Sequence, residues 1–289
     1  MSYGAIGSNA YTGGSGQPAD VFNPTLWSKE VQLAVENQLV AARLVKRLDD
    51  FVKDGGETIK IPQLANMSSA QTRSSSTISQ VQVDQITQTA ITLNLNQRFY
   101  EAFLVDDMLT LQSKYMFADL MKEKAVYGLA LQIDSDTLGN YTNFTNTAVG
   151  TLGQDPTLDD WVSAVKALDK ANAPDTDRSC VIGPATKAAW LKTEQFINTR
   201  YVPDQPIKTG IVGERLGVVI YWTNNVPTSS GSEVNQMFHK DATVLAIQKQ
   251  IGIEKMRRPD YTGDLYVATC VYGFTTYRST FGVALYGKS

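Results

Sequence analysis

Apolar positions recur at helical spacing over one unusually long stretch, Asp106 to Leu138, which contains no proline and a single interior glycine, Gly128. Leu111, Tyr115, Ala118, Ala125, Leu129 and Ile133 fall on one face, and Leu109, Leu120, Tyr127, Leu131 and Leu138 on another. The spacing predicts one helix with two apolar sides. Adjacent Asp106 and Asp107 suit the free N–H groups of its first turn. At about 1.5 Å per residue such a helix is roughly 50 Å long, more than the ~30 Å width of a small domain, so it needs layers packed on both sides. Lys122 lies inside the first stripe and is expected to snorkel to an edge or to meet a carboxylate.

Upstream, Asn23 and Pro24 supply a cap and a first-turn proline, and Trp27, Val31, Val35, Leu39 and Ala42 share a face, so a first helix should end near Arg43. The segment DGGETIKIPQL predicts a turn at Gly55 and Gly56 and a short strand with Ile59 and Ile61 on one side, closed by Pro62. From Gln63 to about Asn96 the chain is rich in Ser, Thr and Gln, with local alternation at Val81 and Val83 and at Ile91, Leu93 and Leu95. This reads as a long two-stranded excursion reaching on the order of 50 Å at ~3.3 Å per residue. A lone hairpin of that kind is marginal in water, which predicts a partner surface that holds it. Phe99 to Val105 then leads as a strand into the long helix.

Beyond the helix, alternation and periodicity predict a polar loop from Gly139 to Pro156, a helix from Leu158 to Ala171 with Trp161, Val165 and Leu168 inward, and a strand from Ser179 to Ile182. A helix from Pro184 to Gln195 and a proline-punctuated loop from Tyr201 to Gly210 follow. Then come a strand from Val218 to Trp222 after a glycine turn, long strands from Phe238 to Arg258 and Leu265 to Arg278 around a turn at Pro259 to Gly263, and a last strand from Thr280 to Tyr286. Early helices, late strands and the absence of a βαβ repeat predict an α+β fold. No internal repeat is visible.

Composition narrows the function classes. The 289 residues are 43% hydrophobic and 19% charged with a net charge of −3, so no basic block offers an electrostatic grip on nucleic acid. Residues 1 to 20 are rich in Gly, Ser and Asn and predict a flexible arm. Cys180 and Cys270 sit in apolar, β-branched surroundings, as buried thiols of a reducing compartment would. No apolar run approaches the ~20 residues of a membrane span, and the N-terminus lacks the pattern of a secretory signal, so the chain is expected in the cytoplasm when made and away from membranes.

Candidate chemistry is sparse. His239, the only histidine, has Phe238 and Lys240 as neighbours, and the default reading is a polar residue at a strand start. Asp134, Asp136 and Asn140 resemble part of a calcium loop, but the glycine and the distal glutamate are missing, so a helix end is expected. Gly210, Gly213 and Gly217 do not fit a phosphate-cradling spacing. The pairs Asp49 with Asp50, Asp106 with Asp107, and Asp159 with Asp160 suit caps or solvated turns. Lys255, Arg257 and Arg258 are too few for a nucleic-acid patch and suit salt bridges within or between subunits. No catalytic, cofactor-binding or metal residue is predicted, and the chain is not expected to be an enzyme.

The order of FNPTLWSKEVQLAVENQLVAARLVKR, GGETIKIPQL, the long polar loop, LVDD opening the helix, IVGERLGVVIYWTNNVP, and MFHKDATVLAIQ through YGFTTYRSTFGVALY resembles the major capsid proteins of tailed bacteriophages, which have the Hong Kong 97 fold. The resemblance implies an N-arm at 1–22, an extended loop at 62–98, and a peripheral domain from 23–61, 99–138 and 238–275 with its spine helix at 106–138. An axial domain would comprise 139–237 and 276–289. It implies a self-assembling icosahedral shell of hexamers and pentamers in the virion capsid, assembled in the host cytoplasm around the phage genome, with packaged DNA near it only non-specifically. Implied partners are a separate scaffolding protein, a portal and in some cases a decoration protein. The alternative reading is the shell of an encapsulin-type nanocompartment around an enzyme cargo. The family's lysine-to-asparagine cross-link is not expected, because Ile61 to Phe99 holds no lysine and its only basic residues are Arg73 and Arg98, leaving Lys53 and Lys60 at the base.

Overall fold

A computed structural model describes residues 39–52, 56–64, 88–108, 117–192 and 213–288. The expected N-arm, residues 23–38 of the expected first helix, the middle of the excursion (65–87), Leu109, Leu111 and Tyr115 of the expected long helix, Lys53, and the Tyr201 to Gly210 loop lie outside the described residues; Leu39 and Val40 are not helical, and a short helix opens at Ala41 instead of one ending near Arg43. Four helices are described: α1 (Ala41–Leu44), α2 (Phe117–Gly139), α3 (Leu158–Lys170) and α4 (Pro184–Trp190). The strands are β1 (Lys46–Arg47), β2 (Thr58–Leu64), β3 (Gln88–Asn94), β4 (Gln97–Asp106), β5 (Arg178–Ile182), β6 (Glu214–Arg215), β7 (Val218–Trp222), β8 (Thr228–Ser229), β9 (Ser232–His239), β10 (Thr243–Arg258), β11 (Gly263–Thr276) and β12 (Gly282–Tyr286). Helices and strands in this proportion and order give the expected α+β class.

The strands form three sheets, ordered β1-β10-β11-β4, β12-β9-β5-β7-β6 with β8 on β9, and β2-β3. Contacts divide the chain into two units, one with Tyr100–Leu129 and Ile251–Thr269, the other with Asn37–Phe99, Ala130–Gln250 and Cys270–Ser289.

The larger unit is built on the β12-β9-β5-β7-β6 sheet. Strand β9 runs antiparallel to β12 and β5, and β5 runs parallel to β7 with α4 between them in sequence. One βαβ connection is therefore present, and among the described residues it does not repeat. Helix α3 starts with a capping box, Thr157 and Asp160 each satisfying the other's backbone N–H. It buries Trp161, Ala164 and Leu168, and Trp161 meets Trp190 of α4 edge to face at 5.0 Å. Leu216 (φ 50°) and Gly217 (φ 74°) make the two-residue turn between β6 and β7, where the right-handed strand twist demands positive φ.

Three expectations need correction here. Strand β2 runs through Pro62 to Leu64 instead of stopping. It pairs only with β3, so the missing proline N–H is tolerated on its unpaired side. Phe238 and His239 finish β9 rather than begin the long strand, which starts at Thr243 after a short turn at Lys240–Ala242. Asp106 closes β4 rather than opening the helix; its carboxylate accepts from the Met108 N–H, and Asp107 and Met108 are already helical.

In the smaller unit, Val105 and Tyr266 are buried with Phe103, Ala118, Met121 and Ile253 packed against them. Phe103 stacks on Tyr266 at 5.1 Å. Gly263 is required by closeness, since a Cβ there would lie 2.6 Å from the Val105 carbonyl oxygen.

Candidate assembly surfaces

The excursion has a built root. Strands β2 and β3 pair antiparallel from Thr58 with Asn94 to Leu64 with Gln88. Alternation places Leu93 and Leu95 inward, where with Val52, Val244 and Ala246 they form a buried cluster against which Ile59, Ile61, Leu48 and Tyr277 pack. The Leu95 N–H donates to the Glu57 carbonyl, and Gln63 Nε2 donates to the Tyr277 carbonyl at 3.2 Å. The outward residues of β3, Ala90, Thr92 and Asn94, are exposed, and two of the three are polar. The base is thus anchored on one face only and carries the polar segment 65–87 beyond it.

The root of the N-terminal region is anchored by an acid. Asp134 of α2 is 1% exposed, and its Oδ1 accepts from the N–H groups of Val40 (3.1 Å), Ala41 (2.6 Å) and Ala42 (3.3 Å). Its Oδ2 accepts from Asn225 Nδ2 at 3.2 Å. A carboxylate aimed at the free N–H groups that open a helix satisfies donors which burial would otherwise leave unpaired. Asp134 is therefore no part of a cation loop. Asp136 accepts from the Tyr272 hydroxyl and from Gln132, while Asn140 donates to Thr243 Oγ1 and accepts from Asn143 and Thr276. The three residues face three different partners. Burial first, and then the Asp136 carboxylate, push the Tyr272 hydroxyl pKa up.

A second pair of caps escaped the sequence reading. Glu233 of β9 accepts from the N–H groups of Ala185 and Thr186 and from Thr186 Oγ1, and Asn235 accepts from the Gly183 N–H and donates to Thr186 Oγ1. These polar side chains point into the core from β9 to seat α4.

His239 is buried at the end of β9. Its Nδ1 accepts from the Asp241 N–H at 3.1 Å, and its ring meets Phe281 edge to face. Desolvation lowers its pKa below 6.5, opposed by Asp241 and Asp177. In the smaller unit, Lys122 meets Asp119 at 2.7 Å and lies over the Tyr266 ring at 5.0 Å. Lys255 pairs with Asp264 at 2.8 Å, Arg257 with Asp107 at 2.6 Å and Arg258 with Asp260 at 2.9 Å. These are bonds within one chain. Asp107 is held below its usual pKa by its hydrogen bond to Arg257, and Asp264 by Lys255. Asp159 lies in the first turn of α3, and Asp49 accepts from the Ile247 N–H and from Arg47. Gly213 and Gly217 flank β6 at positive φ, and Gly210 lies outside the described residues.

Cys180 and Cys270 are free and buried, and burial raises both thiol pKa values. Among the described residues no three His, Cys, Asp or Glu side chains converge as a metal ion would need, and no helix is long and apolar enough to cross a membrane.

No family model matches the chain, and no curated protein matches its sequence. Solved structures do. A chain from Mycobacterium phage Che8 is 25% identical with a TM-score of 0.79, covering 91% of this chain and 97% of that one. The capsid of the cyanophage P-SCSP1u gives 16% identity and a TM-score of 0.75 over 95% and 96% of the two chains. The mature capsid of bacteriophage PhiM1 gives 13% and 0.72 over 90% of each.

Proposed function

We propose that this chain, whose fold is that of the tailed-phage major capsid proteins, is a major capsid protein that self-assembles into the shell enclosing a phage genome. The observation that carries this reading is end-to-end correspondence with phage capsid chains: nine-tenths or more of both chains superimpose. The one-sided anchoring of β2 and β3 supports it, since a polar excursion with an unpartnered outer face is stable only against a neighbour. Its role is structural rather than catalytic. No observation favours the nanocompartment alternative.

On this reading, 1–22 form the N-arm and 62–98 the extended loop. Residues 23–61, 99–138 and 238–275 form the peripheral domain, and 139–237 with 276–289 form the axial domain. The partners are further copies of the chain in hexamers and pentamers, a separate scaffolding protein, a portal and a decoration protein, and assembly takes place in the host cytoplasm.

Negative-stain microscopy of the purified chain tests the reading, with closed or polymorphic shells expected. Removing residues 66–86 spares β2 and β3 and should leave a folded, soluble monomer. Shells of unchanged size from that deletion would overturn the role given to the loop, and a wild-type chain that stays monomeric with its scaffolding protein present would overturn the function.

A further inference from the structure

The outer face of α3 carries a feature that the shell reading does not use. Ser163, Lys166, Ala167 and Lys170 line one side of a groove of about 530 Å³, with Asn146, Thr147, Val149 and Thr280 among the residues opposite. The far wall is held in place by hydrogen bonds: the Thr145 N–H donates to the Ser279 carbonyl, the Val149 N–H to the Ala284 carbonyl, and Asn146 Nδ2 to the carbonyls of Thr280 (2.6 Å) and Gly282 (2.9 Å). Lys166 and Lys170 stand four residues apart, so both ammonium groups lie on one helix face about 6 Å apart along the axis. Both are exposed.

No carboxylate lines this groove among the described residues. Asp169, between the two lysines in sequence, is turned to Arg178 at 2.7 Å, and Asp160 is spent on the capping box. Two ammonium groups with Ser163, Thr147 and Thr280 hydroxyls around them make a site for an anion. The lining decides which anion. Protein interfaces concentrate aromatics, Met and Arg at their cores and are depleted in Lys, Ser and Ala, and this groove has the depleted set. The planar fork of arginine fits carboxylate and phosphate alike, whereas lysine holds a phosphate as a point charge that demands no fixed geometry. Without an aromatic side chain there is nothing for a base to stack on. Lys, Ser and Thr are, however, residue types that contact nucleic-acid phosphates without reading sequence.

We propose that the groove between α3 and the 146–149 loop is a non-specific phosphate contact, through which each subunit holds the backbone of the packaged DNA. The proposal rests on the capsid reading for the identity of its ligand. Its test does not depend on shells, because it measures the full-length chain below its assembly concentration.

Fluorescence anisotropy with a short labelled duplex, across a salt titration, compares wild type with Lys166→Ala/Lys170→Ala. The double variant should bind at least about tenfold more weakly at ~50 mM salt, and its plot of log affinity against log salt should be shallower by about two. Lys166→Arg/Lys170→Arg should retain binding. Removing two lysines elsewhere, Lys60→Ala/Lys240→Ala, should leave the slope unchanged. Wild-type affinity and slope in the groove variant, or an equal loss in the control, would overturn the proposal. If microscopy showed that the groove variant binds DNA normally but no longer forms shells, the groove would instead be a contact between subunits. Absence of wild-type shells bears on the capsid reading alone.

Discussion

At the scale of single residues, buried polar groups do the positioning. Asp134→Ala would leave the N–H groups of Val40, Ala41 and Ala42 without an acceptor. At about 1 kcal/mol or more for each buried donor left unpaired, the change should cost roughly 3 kcal/mol, whereas Asp134→Asn, which keeps an oxygen, should cost about 1. Urea unfolding of the unassembled chain distinguishes the two. His239 gives a pH dependence. Its folded pKa is depressed below 6.5, mainly by desolvation, so the unfolded chain binds more protons and stability rises with pH. The contribution is complete above ~6.5 and is lost as pH falls through that value towards the folded pKa. Melting temperature measured across this range should fall less steeply in His239→Asn than in wild type, and parallel curves would show that His239 does not carry the effect. Neither Asp134 nor Glu233 was legible as a cap, because their partners lie about 94 and 47 residues away in sequence and capping rules see only the next few residues.

At the scale of elements, what could be read followed apolar periodicity. The face holding Ala125, Leu129 and Ile133 is buried as its spacing implied, and so are Leu93 and Leu95 of β3. Strand β9 was missed for a physical reason. All eight of its residues are buried, yet Ser232, Glu233, Asn235 and Gln236 are among them, so no alternation of apolar and polar residues marks it. Pro62 misled because a proline that ends a central strand is harmless on the free side of a two-stranded one. For α2, Leu129→Asp should remove a burial contribution of ~2 to 3 kcal/mol and strand a carboxylate, abolishing soluble expression. Lys122→Ala should change the unfolding midpoint little, since its pair with Asp119 is exposed and screened by solvent. A collapse of solubility in the second variant would reveal a stronger use of that amine.

At the scale of the whole molecule, the central question is what holds neighbouring copies together. Lys60 projects from β2 opposite Thr92, at the root of the excursion, and from Ile61 to Phe99 no amine is present to attack a neighbour's side-chain amide. Particles boiled in detergent should therefore migrate as single chains of 31.7 kDa, and a ladder of covalent oligomers under reducing conditions would contradict this and point to Lys53 or Lys60. The buried thiols extend the point from what the molecule lacks to what can be done with it. Cys180 and Cys270 are sealed from solvent, and burial keeps both protonated, so neither presents the thiolate that maleimides and iodoacetamides attack. The native sequence is in effect a silent background for thiol chemistry. A cysteine introduced at an exposed position such as Leu216, 62% exposed at its turn, would be the one reactive handle on each chain, so that a dye or a gold cluster attached to the unassembled protein would mark one defined point per copy.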